Sequence, residues 1–156
     1  MAFPRGCLPS QEVPSKIKRW LESEEFSCVQ IIGELARNTL FSYVVTLSTE
    51  IEIVVFQPSD RKDSICLSGA LVLSEDQVKR LLQKSKVDQV ELFMELQLNL
   101  ASVDVEFTFE GGEVCRRIGI NHTIFFDGLT KDRFFKGISM FNKAYSLASW
   151  ILKKSL

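Results

Sequence analysis

Histidine is almost missing from this 156-residue chain, with His122 the single example, and its four cysteines never come close together in sequence. Cys7, Cys28, Cys66 and Cys115 are too widely spaced for the C-x-x-C pairs of zinc ribbons and thioredoxin-like redox sites. No acidic cluster completes a ligand set, so neither a metal nor another cofactor is expected. The phosphate-cradling G-x-x-x-x-G-K-[S/T] pattern is missing as well. An excess of one charge is also lacking, because 19 basic residues against 20 acidic ones leave a net charge of −1. Such a balance gives no overall attraction to nucleic acid or anionic lipid. No apolar run approaches the roughly 18 residues of a membrane span, and MAFPRGCLPSQEVPSK holds no signal-peptide core. These absences predict a cytoplasmic protein with free thiols that binds neither nucleic acid nor membrane.

What is present is the composition of a folding chain, 46% hydrophobic and 25% charged. The length fits one domain with a core of its own. Pro4, Pro9 and Pro14 crowd the start, which predicts an irregular arm over residues 1–14 and a single α+β domain over 15–156. Ile17, Trp20 and Leu21 recur at helical spacing and predict a short amphipathic helix ending near Glu25. The period then changes to two. Val29, Ile31 and Leu35, then Phe41, Tyr43, Val45 and Leu47, then Ile51, Ile53 and Val55, then Ile65, Leu67 and Leu71 predict an antiparallel meander of four strands with one buried face.

Ser74-Glu75-Asp76-Gln77 reads as a capping box that opens a helical region. A second such signal stands at Asp88-Gln89-Val90-Glu91, with a break expected around Lys84-Ser85-Lys86 and an inner face of Val90, Phe93, Met94 and Leu100. Val103, Val105, Phe107 and Phe109 alternate with polar residues and predict a strand. Gly111-Gly112 should turn it back into one or two strands through Ile118, Ile120, Ile124 and Phe126. A long helix closes the chain from Thr130 to Lys154. The expected order is helix, four strands, helical pair, two or three strands, helix.

Residues 125–137, FFDGLTKDRFFKG, set charged side chains between aromatic pairs and raise the question of a catalytic loop. Turn and cap chemistry accounts for them better: Asp127-Gly128 is a turn, Thr130 an N-cap, Asp132 a first-turn acid and Leu129 with Phe134 a staple. An anion site on that helix start is disfavoured, because Asp127 sits where a phosphate would. Asp104 and Glu106 share a strand face that should look to solvent rather than pair for acid–base work. Arg116 and Arg117 point to opposite faces and form no patch.

The last helix is more unusual. Phe134, Ile138, Phe141, Tyr145, Ala148 and Leu152 make one apolar stripe, while Phe135, Leu147, Trp150 and Ile151 fall outside it or at its edge. The surplus fits a helix wedged inside one core or a helix that also meets another chain. The second is favoured, with Phe135, Leu147, Trp150 and Ile151 as the dimer or partner surface.

The Lys16-Ile17-Lys18-Arg19-Trp20-Leu21 start, the Leu71-to-Gln77 strand-to-helix turn and the run from Ile124 to Phe134, taken with the order of elements, resemble a small archaeal family of uncharacterised proteins. The chain also looks like the wider superfamily of type III secretion chaperones and YbjN-like proteins. That resemblance implies an α+β domain that pairs through helix and sheet surfaces and holds segments of partner proteins. It carries over no catalytic residue. The expected function is therefore a non-enzymatic, homodimeric module for binding a protein or peptide. The alternative is a small-ligand enzyme pairing His122 with Cys115, Cys66 or Cys28.

Overall fold

The structure, a computed structural model, describes residues 12–156. Along the chain run α1 (Val13–Ser23), β1 (Ser27–Gln30), β2 (Thr39–Thr46), β3 (Glu52–Pro58), β4 (Ser64–Val72), α2 (Glu75–Gln83), α3 (Lys86–Ala101), β5 (Glu106–Glu110), β6 (Arg117–Phe125) and α4 (Lys131–Ser155). The strands form one six-stranded sheet in the order β1-β2-β3-β4-β6-β5. The class is α+β, with two strands rather than three before the last helix. By its contacts the chain divides into two compact units: one through Ser68 together with Thr123–Ile138, the other Gly69–His122 with Ser139–Leu156. Among the described residues no helix is long and apolar enough to cross a membrane.

In the first unit α1 begins at Val13, two residues before the expected start. Pro14 lies in its first turn, where a missing N–H costs nothing. The rest of the expected arm, Cys7 included, lies outside the described residues. Val13, Ile17 and Leu21 are buried at intervals of one turn, and the Tyr43 hydroxyl donates to the Pro14 carbonyl at 3.4 Å. Tyr43, Val45, Ile53, Val55, Ile65 and Leu67 fill the inner face as their alternation predicts. The first strand departs from expectation. It stops at Gln30, and Leu35 falls in a 3₁₀ turn over Glu34–Ala36. Its register sets Cys28 opposite Val45 and Val29 opposite Val44. Because pairing with the buried Val45 decides which way the pleat points, Cys28 turns inward and Val29 is left exposed.

Ser64 is fully buried, and its hydroxyl has no hydrogen-bond partner among the described residues. A buried unpaired polar group costs about 1–3 kcal/mol. Ser64→Ala is therefore expected to raise the urea midpoint, and a lower midpoint would show that the hydroxyl is satisfied in solution.

The aromatic stretch resolves into a joint. Phe125 ends β6 and is half exposed, whereas Phe126 and Phe134 are buried. The Phe126 N–H donates to the Asp63 carbonyl at 2.8 Å. Thr130 caps α4, its Oγ1 accepting from the Arg133 N–H at 3.2 Å. Phe135 stacks on Phe26 with ring centres 6.0 Å apart, and Lys131 pairs with Glu24 at 2.7 Å. The charged residues start a helix and tie it to the end of α1.

In the second unit the capping box is present: the Gln77 N–H donates to Ser74 Oγ at 3.2 Å and the Ser74 N–H to Gln77 Oε1 at 3.0 Å. The break before α3 falls at Lys84-Ser85, and Ser85 is the cap, accepting from the Asp88 N–H at 3.1 Å. The second signal thus acts one turn earlier than its acidic residues suggested. The inner face of α3 is Leu92, Leu96 and Leu100, which corrects the expected Val90, Phe93 and Met94. β5 starts only at Glu106, with Val103 buried in the turn before it. Its register with β6 is regular from Glu106↔Asn121 to Glu110↔Arg117. Gly111 and Gly112 both have positive φ in the connecting loop, which closes with the Arg116 N–H donating to the Glu110 carbonyl at 2.8 Å.

Candidate functional site

A helix that covers one core needs a single apolar stripe, and α3 has two. Leu92, Leu96 and Leu100 take the inner one. On the other side Val87, Val90, Met94 and Leu98, spaced three, four and four apart, stay 66%, 57%, 55% and 70% exposed. The flank of this outer stripe opens into a groove of about 500 Å³ between α3 and the β5–β6 loop. Its apolar walls come from Val90, Phe93, Met94, Phe109 and Val114, and its rim from Lys86, Glu110 and Glu113. Phe93 and Phe109 meet edge to face with centres 5.3 Å apart, which fixes one wall. The size and lining suit an apolar side chain with polar groups near its edge.

A second apolar surface lies on the outer face of the sheet in the first unit. Val29, Val44 and Val54 form a row across three strands, and Phe56 pairs with Cys66 in the next. Solvated sheet faces ordinarily carry polar residues. In the second unit one face of β5 and β6 carries Glu106, Thr108, Glu110, Arg117 and Asn121.

The surface expected on α4 is only partly there. Ile151 is fully buried and belongs to the core; Leu147 and Phe135 are half-buried; Trp150 is exposed, with the Lys154 ammonium 4.8 Å from its ring centre. The 3.6-residue period carries Ile151 round to the side of Ala144, Ala148 and Leu152, widening the inner stripe. His122 Nδ1 lies 3.1 Å from the Asp104 carbonyl oxygen. Cys66 Sγ meets Thr123 Oγ1 at 3.5 Å, and Cys115 Sγ donates to the Arg117 carbonyl at 3.4 Å. Among the described residues no sulfur hydrogen-bonds to His122. Arg116 pairs with Glu75 at 3.7 Å and Arg117 with Glu110 at 3.4 Å, on separate partners. No group of three His, Cys, Asp or Glu among the described residues could hold a metal ion. The α3 stripe escaped the sequence reading, although its spacing was legible, because α3 has apolar residues on every side.

The pattern of a family described as an uncharacterized conserved protein (DUF2299) matches residues 13–152. The chain belongs to this family. It is similar to the crystal structure of an uncharacterized protein from Methanothermobacter thermautotrophicus, at 28% identity and a TM-score of 0.83, over 94% of this chain and 98% of that one. With YbjN from E. coli the identity is 12% and the TM-score 0.46, over 90% of this chain and 89% of that one. No curated protein matches the chain.

Two thiols of this DUF2299 member, Cys115 and Cys28, are held back from ionising. Burial pushes the Cys115 thiol up, against smaller downward pulls from hydrogen bonds at Arg117 and Glu110. Burial likewise raises Cys28, with Lys18 opposing and Glu22 adding to it. In the unfolded chain a thiol ionises at about 8.5, so above that pH the unfolded state has lost a proton the folded state still holds. The stability these thiols contribute is full below about 8.5 and lost as pH rises through their higher folded values. Melting temperature is expected to fall as pH rises above about 8.5, and less steeply in a Cys28→Ala, Cys115→Ala variant; equal slopes would refute it.

Proposed function

We propose that the chain is a non-enzymatic, homodimeric module that binds another protein or a peptide, in the manner of chaperone-like α+β domains. One observation carries the reading: α3 is apolar on two sides and has only one of them in the core. Exposed apolar residues aligned along a helix mark interaction surfaces more often than isolated ones do. The valine row on the outer sheet face supports self-association, since a stable dimer needs roughly 1,000 Å² or more of buried surface and a sheet face can supply it. Light scattering over a hundredfold concentration range tests the assembly. A dimer is expected, and the exposed-face variant Val29→Glu should run as a folded monomer. A wild type that stays monomeric throughout would remove the homodimer from the proposal.

A further inference from the structure

The outer stripe of α3 is straight and repeats at helical spacing from Val87 to Leu98, a length of about 16 Å at the α-helical rise. Spacings of three and four are those of a seam that receives the side-chain ridge of another helix. The charges beside it have one prevailing sign. Asp88 and Glu91 flank the stripe, and Glu113 stands on the groove rim. None of the three has an ion-pair partner among the described residues. Glu95 and Glu110 are occupied by Lys154 at 2.7 Å and Arg117 at 3.4 Å. Among the described residues Lys86 is the one basic residue lining the groove.

Resting on the binding-module reading, we infer that this face takes a basic amphipathic helix from a partner protein. Its apolar residues would cover Val87, Val90, Met94 and Leu98, and one large side chain would enter the groove against Phe93 and Phe109. Its lysines or arginines would meet Asp88, Glu91 and Glu113. A second copy of the chain fits less well. Two α3 helices packed antiparallel about a two-fold axis set the same flank of each together, so the acidic flank of Asp88, Glu91 and Glu95 would meet itself. An anionic membrane surface would meet the same repulsion.

The probe is a labelled amphipathic peptide of about 18 residues built from leucine and lysine, long enough to match the stripe. Its counterpart replaces lysine by glutamate, and binding to the full chain is read by fluorescence anisotropy at low and high salt. The lysine peptide is expected to bind at least roughly tenfold more tightly than the glutamate peptide, with affinity falling as salt rises. Met94→Lys should abolish binding, and the double variant Asp88→Lys, Glu91→Lys should reverse the preference. All three positions are exposed, so the variants should fold, the charge change at Asp88 in the first turn of α3 costing about 1 kcal/mol at most. Equal binding of both peptides, or a charge-reversed variant that still prefers the lysine peptide, would overturn the inference and leave the binding-module reading standing. Loss of peptide binding coupled to a Met94→Lys dimer-to-monomer change would overturn it in favour of a second copy. No binding of either peptide by a monomeric wild type would overturn both.

Discussion

Phe134→Ala is expected to lower the unfolding free energy by about 3–5 kcal/mol, the usual cost of truncating a fully buried phenylalanine. Phe134 has no exposed surface; its ring is tilted against Trp20 at 5.9 Å and edge-on to Phe135 at 5.3 Å. Removing it leaves a cavity beside the α1 residues that complete this part of the core. The neighbouring Phe125→Ala, at a half-exposed position, should stay within about 1 kcal/mol of wild type. Urea unfolding of the two variants side by side makes the comparison. Similar losses from both would mean that the joint buries its phenylalanines differently.

Gly111→Ala should be the most damaging change in the groove. Gly111 has φ of 140°, and a Cβ there would come within 2.5 Å of the Val114 carbonyl oxygen and 2.6 Å of the Arg116 nitrogen. Both are backbone atoms and neither can rotate aside. The loop must open, breaking the 2.8 Å bond from the Arg116 N–H to the Glu110 carbonyl. Together with the unfavourable backbone conformation this should cost about 1–3 kcal/mol and abolish binding in the groove. Gly112→Ala has open space around its Cβ and should cost only about 1 kcal/mol for its positive φ. Hydrogen exchange at the Arg116 amide separates the two, with protection lost in the first variant and kept in the second. Unchanged protection in Gly111→Ala would refute the steric argument.

The parts of the fold written in local chemistry were legible. Ser74 and Gln77 exchange hydrogen bonds as a capping box, and Thr130 caps α4. Tyr43, Val45, Ile53 and Val55 turn inward as their alternation requires. Errors gathered where two readings had equal local support. Val29 and Cys28 are both apolar, and only the pairing of Cys28 with Val45 shows which faces inward. On α3 the apolar residues run all round, so periodicity could not choose between Leu92, Leu96 and Leu100 and the set of Val90, Phe93 and Met94. The groove also joins α3 to a loop distant in sequence, through Phe93 and Phe109, and no local pattern reports such a meeting.

By itself the sequence determined the α+β order of elements, the caps and turns, and the structural task of residues 125–137. It could do so because hydrogen-bonding side chains at helix ends and the two-residue pleat act over a few positions. Only the tertiary structure decided which apolar faces were used up in cores and which were left over. Ile151, expected on a partner surface, went inside, while Val87, Val90, Met94 and Leu98 stayed out. Burial depends on what the rest of the chain brings to each face, and hydrophobicity alone does not say which side of a doubly apolar helix meets its own core.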